Sequence, residues 1–324
     1  MKSLANKNIL ITGGAGFIGS HIADIAVQEG GIVTCYDNLC RGSLNNIAHL
    51  LDKNSDQFRF VHADVRNNLK LEESVSKADI IFHQSALRIT ACAEHKELAF
   101  ETMGRAFFDL LELCVKYKTE RLVVASTASV YGLAEVFPTP ETSPNYDNKT
   151  LYGALKIFNE ALLRSYHDMH GLNYVATRNF NVFGPRMDTE GKYTEVLVRW
   201  MERIEHGLGP IIYGDGKQTM DFVDVRDVAR ANILAAKSDS TDEVFNVASG
   251  TETNLVDLAH ALLDVMGRSD LGVVHAAERA VNPVPRRLAD TSKADAVLGF
   301  KSEIDLKCAL RELVEWWRNV KLAA

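Results

Sequence analysis

The 324-residue chain holds no apolar run long enough to cross a membrane, only five cysteines and only seven prolines. Its opening stretch, MKSLANKNILITGG, has no apolar segment of signal-peptide length, so a soluble protein of the cytoplasm is expected. The cysteines (Cys35, Cys40, Cys92, Cys114, Cys308) form no CxxC and no His/Cys cluster with metal-ligand spacing. This argues for buried, reduced thiols and against a disulfide framework or a bound metal. Acidic residues outnumber basic ones, 43 to 36. The formal net charge of −7 excludes general affinity for nucleic acid or anionic membranes. No repeat, low-complexity tract or long linker interrupts the chain.

What is present is core material. A hydrophobic fraction of 46% against 24% charged residues suffices, at this length, for one large α/β unit or two lobes. Short apolar runs predict strands at Asn8–Thr12, Ile32–Tyr36, Phe58–His62, Asp79–His83, Arg121–Ser126 and Asn173–Arg178. Helical periods fall between them at His21–Glu29, Glu97–Lys116 and Tyr152–Met169. This alternation predicts an α/β protein with a doubly wound parallel sheet and ligands at the carboxyl ends of its strands. Beyond FGPR at 183–186 the rhythm loosens into a helix at Glu195–His206, a strand at Ile211–Tyr213, and helices at Val225–Lys237 and Leu255–Met266. The expected division is residues 1–180 and a smaller C-terminal α/β lobe at 181–324. The two interleave, because Val244–Val247, in a return segment near 221–248, reads as a strand rejoining the main sheet.

Two motifs carry the chemistry. In GGAGFIGS (13–20), Gly13, Gly16 and Gly19 follow a strand, and Phe17 and Ile18 lead into a helix. Bare backbone can approach a pyrophosphate there, and the helix start offers free N–H groups and a positive dipole end. Asp37 ends the next strand about 20 residues on, where a carboxylate accepts both ribose hydroxyls and repels a 2′-phosphate, favouring NAD over NADP. Asn38, Arg41 and Gly42 follow it, with Arg41 able to contact the adenine side. Asp64 and Val65 can hold adenine, or Asp64 can simply cap a turn. Arg88 can reach the pyrophosphate or ribose, or stand as a surface arginine.

The second motif, YGALK (152–156), places Tyr152 and Lys156 one turn apart on one helix face. STASVYG (126–132) ends a strand that can converge on the same sheet edge. A tyrosine of ordinary pKa about 10 needs a nearby positive charge to act as a base near neutrality. Lys156 and an oxidised nicotinamide supply it, and Thr127 or Ser126 can share the substrate proton.

GGAGFIGS, DNLCRGS, STASVYG, YGALK, RNFNVFGPR, YGDGKQTMDFVDVRDVARA and ADTSKADAVLGF occur in one order along the chain. The chain thereby resembles the extended short-chain dehydrogenases/reductases, and within them the nucleotide-sugar epimerases and dehydratases. The resemblance implies a Rossmann-like domain holding NAD and a C-terminal lobe for a nucleoside-diphosphate sugar, most similar to the UDP-glucose/UDP-galactose 4-epimerases. It assigns catalysis to Thr127, Tyr152 and Lys156, and places Gln84, Ser85, Ala86, Ser126, Tyr152 and Lys156 against the cofactor. His83-Gln84-Ser85-Ala86 departs mildly from the family's His-x-Ala-Ala. Asn181 falls on a position that contacts the substrate diphosphate. Val196 and Tyr213, within Lys192–Trp200 and Ile211–Tyr213, are expected to line the base.

Dehydratases of this family carry Asp-Glu, and decarboxylases Glu, where this chain has Ala128 and Ser129. Without those carboxyls, 4-epimerisation through a keto intermediate is the expected reaction. A dehydrogenase exchanging NAD(H) and a UDP-uronate 4-epimerase are alternatives. A non-catalytic NAD-binding protein is disfavoured, because both Tyr152 and Lys156 are present. Met220 stands where relatives have a diphosphate arginine, so Arg279, Arg286 or Arg287 is expected to replace that charge. Arg287 lies near the position that gauges the sugar, and an arginine there can read a uronate or be surface charge. Arg186 is a candidate for either role. The resemblance also implies a homodimer through a four-helix bundle, with Phe100, Phe107, Phe108, Leu111, Phe158 and Leu162 available for its seam or for the core.

Overall fold

A computed structural model describes residues 2–52, 56–189, 195–277 and 284–323. The strands are β1 (Asn8–Thr12), β2 (Ile32–Asp37), β3 (Phe58–His62), β4 (Ile80–His83), β5 (Arg121–Thr127) and β6 (Tyr174–Asn179). They continue with β7 (Asn181–Phe183), β8 (Ile211–Tyr213), β9 (Thr219–Asp224), β10 (Glu243–Val247), β11 (Glu252–Asn254) and β12 (Val274–Ala276). Seven of them form one parallel sheet in the order β10-β6-β5-β4-β1-β2-β3. The near-continuous apolar runs of β4 and β5 fit this position, because both strands are buried on both faces.

The order reverses between β1 and β4, creating the crevice where such sheets bind ligands. The glycine loop leaves β1 on one side of it, and His83-Gln84-Ser85-Ala86 leaves β4 on the other. Helices Phe17–Gln28 and Val225–Lys237 cover one face, packing Ile22, Ala26, Val228 and Ile233 into a shared core. Ala106–Tyr117 and Leu151–His170 cover the other with Phe107, Leu111 and Leu163. Each fully buried aliphatic or aromatic side chain of this kind contributes about 1.5–3 kcal/mol. The return segment is real: β10 pairs with β6 from Glu243↔Val175 to Val247↔Asn179.

One expected helix is interrupted. Instead of a single run over 97–116, the chain forms Lys96–Phe100, a π-helical turn at Glu101–Arg105, and Ala106–Tyr117. The wider turn lets Thr102, Met103 and Gly104 sink against the helix carrying Tyr152.

β7 and β9 pair in parallel and β11 adds to β9 antiparallel, so this small sheet carries Asn181 and Met220. A third core gathers Trp200, Met201, Leu258, Leu262, Leu310, Leu313 and Trp317 around the helices Val196–Glu205, Leu255–Val265 and Leu306–Ala323. The Trp200 indole is satisfied by the Ile211 carbonyl at 2.8 Å, anchoring β8 and Tyr213 to this lobe. No helix among the described residues is long and apolar enough to cross a membrane.

Candidate active site

The cradle is built from backbone. Helix Phe17–Gln28 starts at Gly16 without a side-chain cap, leaving its first-turn N–H groups for an anion. Gly13 has φ of 70°, the left-handed region, and a Cβ there would stand 3.0 Å from the backbone of Gln84 and Ser85. The loop is therefore pressed against the chain leaving β4. Asp37, buried at the end of β2, accepts the Ala15 N–H at 3.1 Å and the Leu39 N–H at 2.8 Å. Burial raises its pKa above the ordinary carboxylate value, and those two N–H groups oppose the rise. Gly42 approaches so closely that a Cβ would sit 2.9 Å from both carboxylate oxygens.

Asp64 is already engaged. Arg66 grips it at 2.8 and 2.9 Å, Asn38 donates to it at 2.7 Å, and the Arg66 pair brings its pKa down to about 2. Val65 beside it is buried in the core. Arg41 pairs with Asp188, and its Nη1 is buried with no hydrogen-bond partner among the described residues. Arg88 forms a 3.1 Å ion pair with Glu195 at the start of the helix carrying Val196. Arg186, at φ of 68°, turns to Asp24 on the glycine-loop helix at 2.7 Å. These three arginines tie the two halves of the chain together. Gln84 donates to Asn232 at 3.1 Å, and its Oε1 is buried without a partner among the described residues. A donor and an acceptor lying unspent beside an uncapped helix start fit a dinucleotide with a polar head.

Helix Leu151–His170 is started by Thr150, whose hydroxyl accepts the Gly153 N–H at 3.1 Å, so Tyr152 and Lys156 occupy its first turns. The Thr127 hydroxyl faces the Tyr152 phenol and favours its ionised form. Desolvation pushes the phenol up to about 12, against the Thr127 hydrogen bond and the Arg88 charge. Thr127 also accepts the Ser129 N–H at 3.1 Å, which fixes its rotamer. Ser126 faces the other side of β5 and donates to Glu160 at 2.5 Å. Of the two hydroxyls, Thr127 is therefore the one at Tyr152. Lys156 is buried, and its ammonium donates to the Ala125 carbonyl at 2.5 Å.

Burial lowers Lys156 from its ordinary 10.5 to about 8, opposed by Cys92 and Glu160. The unfolded chain thus holds this proton more tightly than the folded one. The cost of burying the ammonium is fully present below pH 8 and is relieved as pH rises toward 10.5. Lys156→Met is expected to remove an upward stability slope on the order of 3 kcal/mol across that window. Denaturation midpoints that rise equally in both proteins would refute it.

On the substrate side, Asn181 opens β7 and Met220 sits in β9 against Thr253. Asp221 is fully buried and holds the N–H groups of Ser249, Gly250 and Ala289, fixing β9 against the segment that carries Arg287. Arg287 donates to the Ala128 carbonyl at 2.7 Å. Burial lowers its pKa to about 10, and Tyr152 opposes that. Arg286 points outward to Glu252 at 2.6 and 2.8 Å and stacks on Phe137. Arg279 and Lys192 lie outside the described residues.

Sequence reasoning missed Glu195, Asp188 and Cys92. Glu195 and Cys92 both act electrostatically on Tyr152, and only Glu195 lay in a stretch already singled out, for the base. Their pairings join residues far apart in the chain, and no local pattern marks them.

Residues 9–248 match the NAD dependent epimerase/dehydratase family. A UDP-N-acetylglucosamine 4-epimerase from Methanobrevibacter ruminantium, solved in complex with UDP-N-acetylmuramic acid, superposes with TM-score 0.90 at 33% identity, covering 98% of this chain and 99% of that one. The UDP-glucose 4-epimerase of Thermus thermophilus in complex with NAD gives 0.84 at 30%, covering 96% and 99%. A UDP-N-acetyl-alpha-D-glucosaminuronate decarboxylase of Bacillus cytotoxicus is 30% identical over 331 residues, 97% of this chain and 99% of its own. The chain belongs to the NAD dependent epimerase/dehydratase family.

Proposed function

We propose that the protein is a 4-epimerase of a UDP-sugar. The observation that carries this reading is the Thr127–Tyr152 hydroxyl pair beside buried Lys156, with no carboxyl at Ala128 or Ser129. Tyr152 takes the proton from the sugar hydroxyl and returns it, and Thr127 holds the same oxygen on line. Lys156, fixed by the Ala125 carbonyl, supplies positive charge one turn from the phenol. When bound, NAD accepts and returns the hydride. A dehydratase or decarboxylase needs a carboxyl acid/base next to Thr127. The carboxylate that acts on Tyr152 here, Glu195, comes from the other lobe and is paired with Arg88. The proposed site residues are those assigned from the sequence, with Ser126 and Arg286 directed elsewhere.

Pairing into a homodimer is part of the proposal. Phe107 and Leu111 are spent in the core and Leu162 packs against it, while Phe100, Phe108 and Phe158 stand exposed on the expected helices.

Purified protein without added NAD, incubated with UDP-glucose, UDP-N-acetylglucosamine and UDP-glucuronate, is expected to give a 4-epimer visible by its anomeric proton. No net NADH should accumulate. Stoichiometric NADH would make the enzyme a dehydrogenase instead.

A further inference from the structure

We propose that Glu160 is a positioning residue of the reaction: with Arg178 it clamps the end of β5, holding the Ala125 carbonyl on the Lys156 ammonium and Thr127 toward Tyr152. The proposal deepens the epimerase reading and rests on it for the roles of Thr127, Tyr152 and Lys156.

Glu160 follows Lys156 by one turn of helix Leu151–His170, and Tyr152 by two. Its Oε1 accepts the Ser126 hydroxyl at 2.5 Å and the Arg178 Nε–H at 3.0 Å, and its Oε2 accepts from Arg178 Nη2 at 2.7 Å. The two charged side chains are only 11% and 8% exposed. Arg178 stands in β6, directly opposite Ser126 in the β5–β6 register. Its Nη1 donates to the Tyr131 hydroxyl at 3.0 Å and to the Glu141 carbonyl at 2.8 Å. Tyr131 in turn donates to Asn246 of β10 at 2.6 Å.

This pair brackets Thr127. Ser126 is gripped on one side of it, and Tyr131, closing the turn Ala128–Tyr131, on the other. The residue before Ser126 is Ala125, whose carbonyl takes the Lys156 ammonium at 2.5 Å. Both partners of the catalytic face, the ammonium and the threonine hydroxyl, therefore depend on chain that Glu160 and Arg178 hold. A buried ion pair adds little net stability, because desolvation offsets the attraction. What this pair fixes is position.

Charge points the same way. The groups around Lys156 are Tyr152 and Glu160 on its own helix, His83 from β4, Cys92 from helix Ile89–Glu94 and, behind Glu160, Arg178 from β6. Burial brings His83 down to about 3, so it stays neutral. Burial also pushes the Cys92 thiol up to about 11 and the Tyr152 phenol up to about 12, so both keep their protons near neutrality. Of these groups, only the Glu160 carboxylate carries negative charge there. It favours the ammonium form of Lys156, against the burial that disfavours it.

The test is NMR titration of the holoenzyme with lysines labelled at 13Cε, the Lys156 resonance being the one lost in Lys156→Met. Its midpoint, about 8 in wild type, is expected to fall by at least about one pH unit in Glu160→Gln. On the UDP-sugar that turns over, kcat is expected to drop about 10²-fold, with KM and the NAD:protein ratio at wild-type values. The alkaline limb of the kcat profile should move down with the Lys156 midpoint. Glu160→Gln leaves Arg178 charged and unpaired, which can unfold the chain. Glu160→Gln/Arg178→Met removes both charges and is expected to show the same two shifts in a folded protein. A Lys156 midpoint unchanged in the folded variants, or a kcat within about threefold of wild type, would overturn the proposal and leave the pair purely structural. The titration needs no sugar, so it also decides alone if no UDP-sugar is turned over. Net NADH without a 4-epimer, alongside the shifted midpoint and slowed turnover, would remove the epimerase and leave Glu160 positioning the same groups in a dehydrogenase.

Discussion

Replacing Tyr152 with phenylalanine is expected to lower kcat by about 10³- to 10⁴-fold while bound NAD and the melting temperature stay at wild-type values. The change removes one oxygen and leaves the ring where it packs, beside Cys92, Met103 and Leu155. Stability should therefore hardly move, and the loss lies in proton transfer. With the phenol at about 12, the enzyme at neutral pH carries a protonated Tyr152 beside Thr127. In that form it can donate to a ketone oxygen, and for the forward half-reaction it must first lose its proton. Arg88 favours that loss, and the cationic nicotinamide ring would favour it further when NAD is bound. Phenylalanine can do neither job. The rate of 4-epimer formation and the NAD:protein ratio check this together. A variant within tenfold of wild type would remove Tyr152 from the mechanism.

The parts of this molecule legible in its sequence are those set by local rules. The seven-stranded sheet follows from short apolar runs separated by helical periods, and most strand limits fall within a residue of the pattern. The glycine cradle is readable because spacing, strand and helix coincide within a short stretch of chain. Tyr152 and Lys156 are readable because one helical turn separates them. Long-range choices were not readable. Nothing near Arg41, Arg88 or Arg186 tells that each is held by a carboxylate far along the chain, at Asp188, Glu195 and Asp24. Residue chemistry alone leaves Ser126 and Thr127 equivalent, although the family resemblance singles out Thr127; the alternation of β5 sends Ser126 to Glu160 and Thr127 to Tyr152. The same holds for Arg286 and Arg287. The aromatic residues of the 97–116 stretch point both inward and outward, so composition could not divide Phe107 from Phe108. The π-helical turn at Glu101–Arg105 then shifts the face that the later residues present.

Gly19→Ala is expected to abolish NAD retention and destabilise the fold by about 3 kcal/mol or more. A Cβ at Gly19 would lie 2.2 Å from the Gly13 carbonyl oxygen and 2.9 Å from its carbon. Both are backbone atoms, so no side-chain rotation relieves the overlap. Either the helix Phe17–Gln28 withdraws or the loop opens. Withdrawal disturbs the buried packing of Ile22, Ala23 and Ala26 against Val228, which joins the two halves of the chain. Opening drags Gly13 from the Tyr36 carbonyl, which its N–H meets at 2.8 Å, and Ala15 from Asp37. The phosphate cradle and the ribose carboxylate are lost in the same movement, because Ala15 links them. Gly272→Ala is the control: its Cβ would meet nothing within 4 Å, and its φ lies outside the left-handed region. Thermal unfolding and the absorbance of released NAD read both effects. If Gly19→Ala kept its cofactor and melted like Gly272→Ala, the helix would not need to approach the loop this closely, and the cradle would be misassigned.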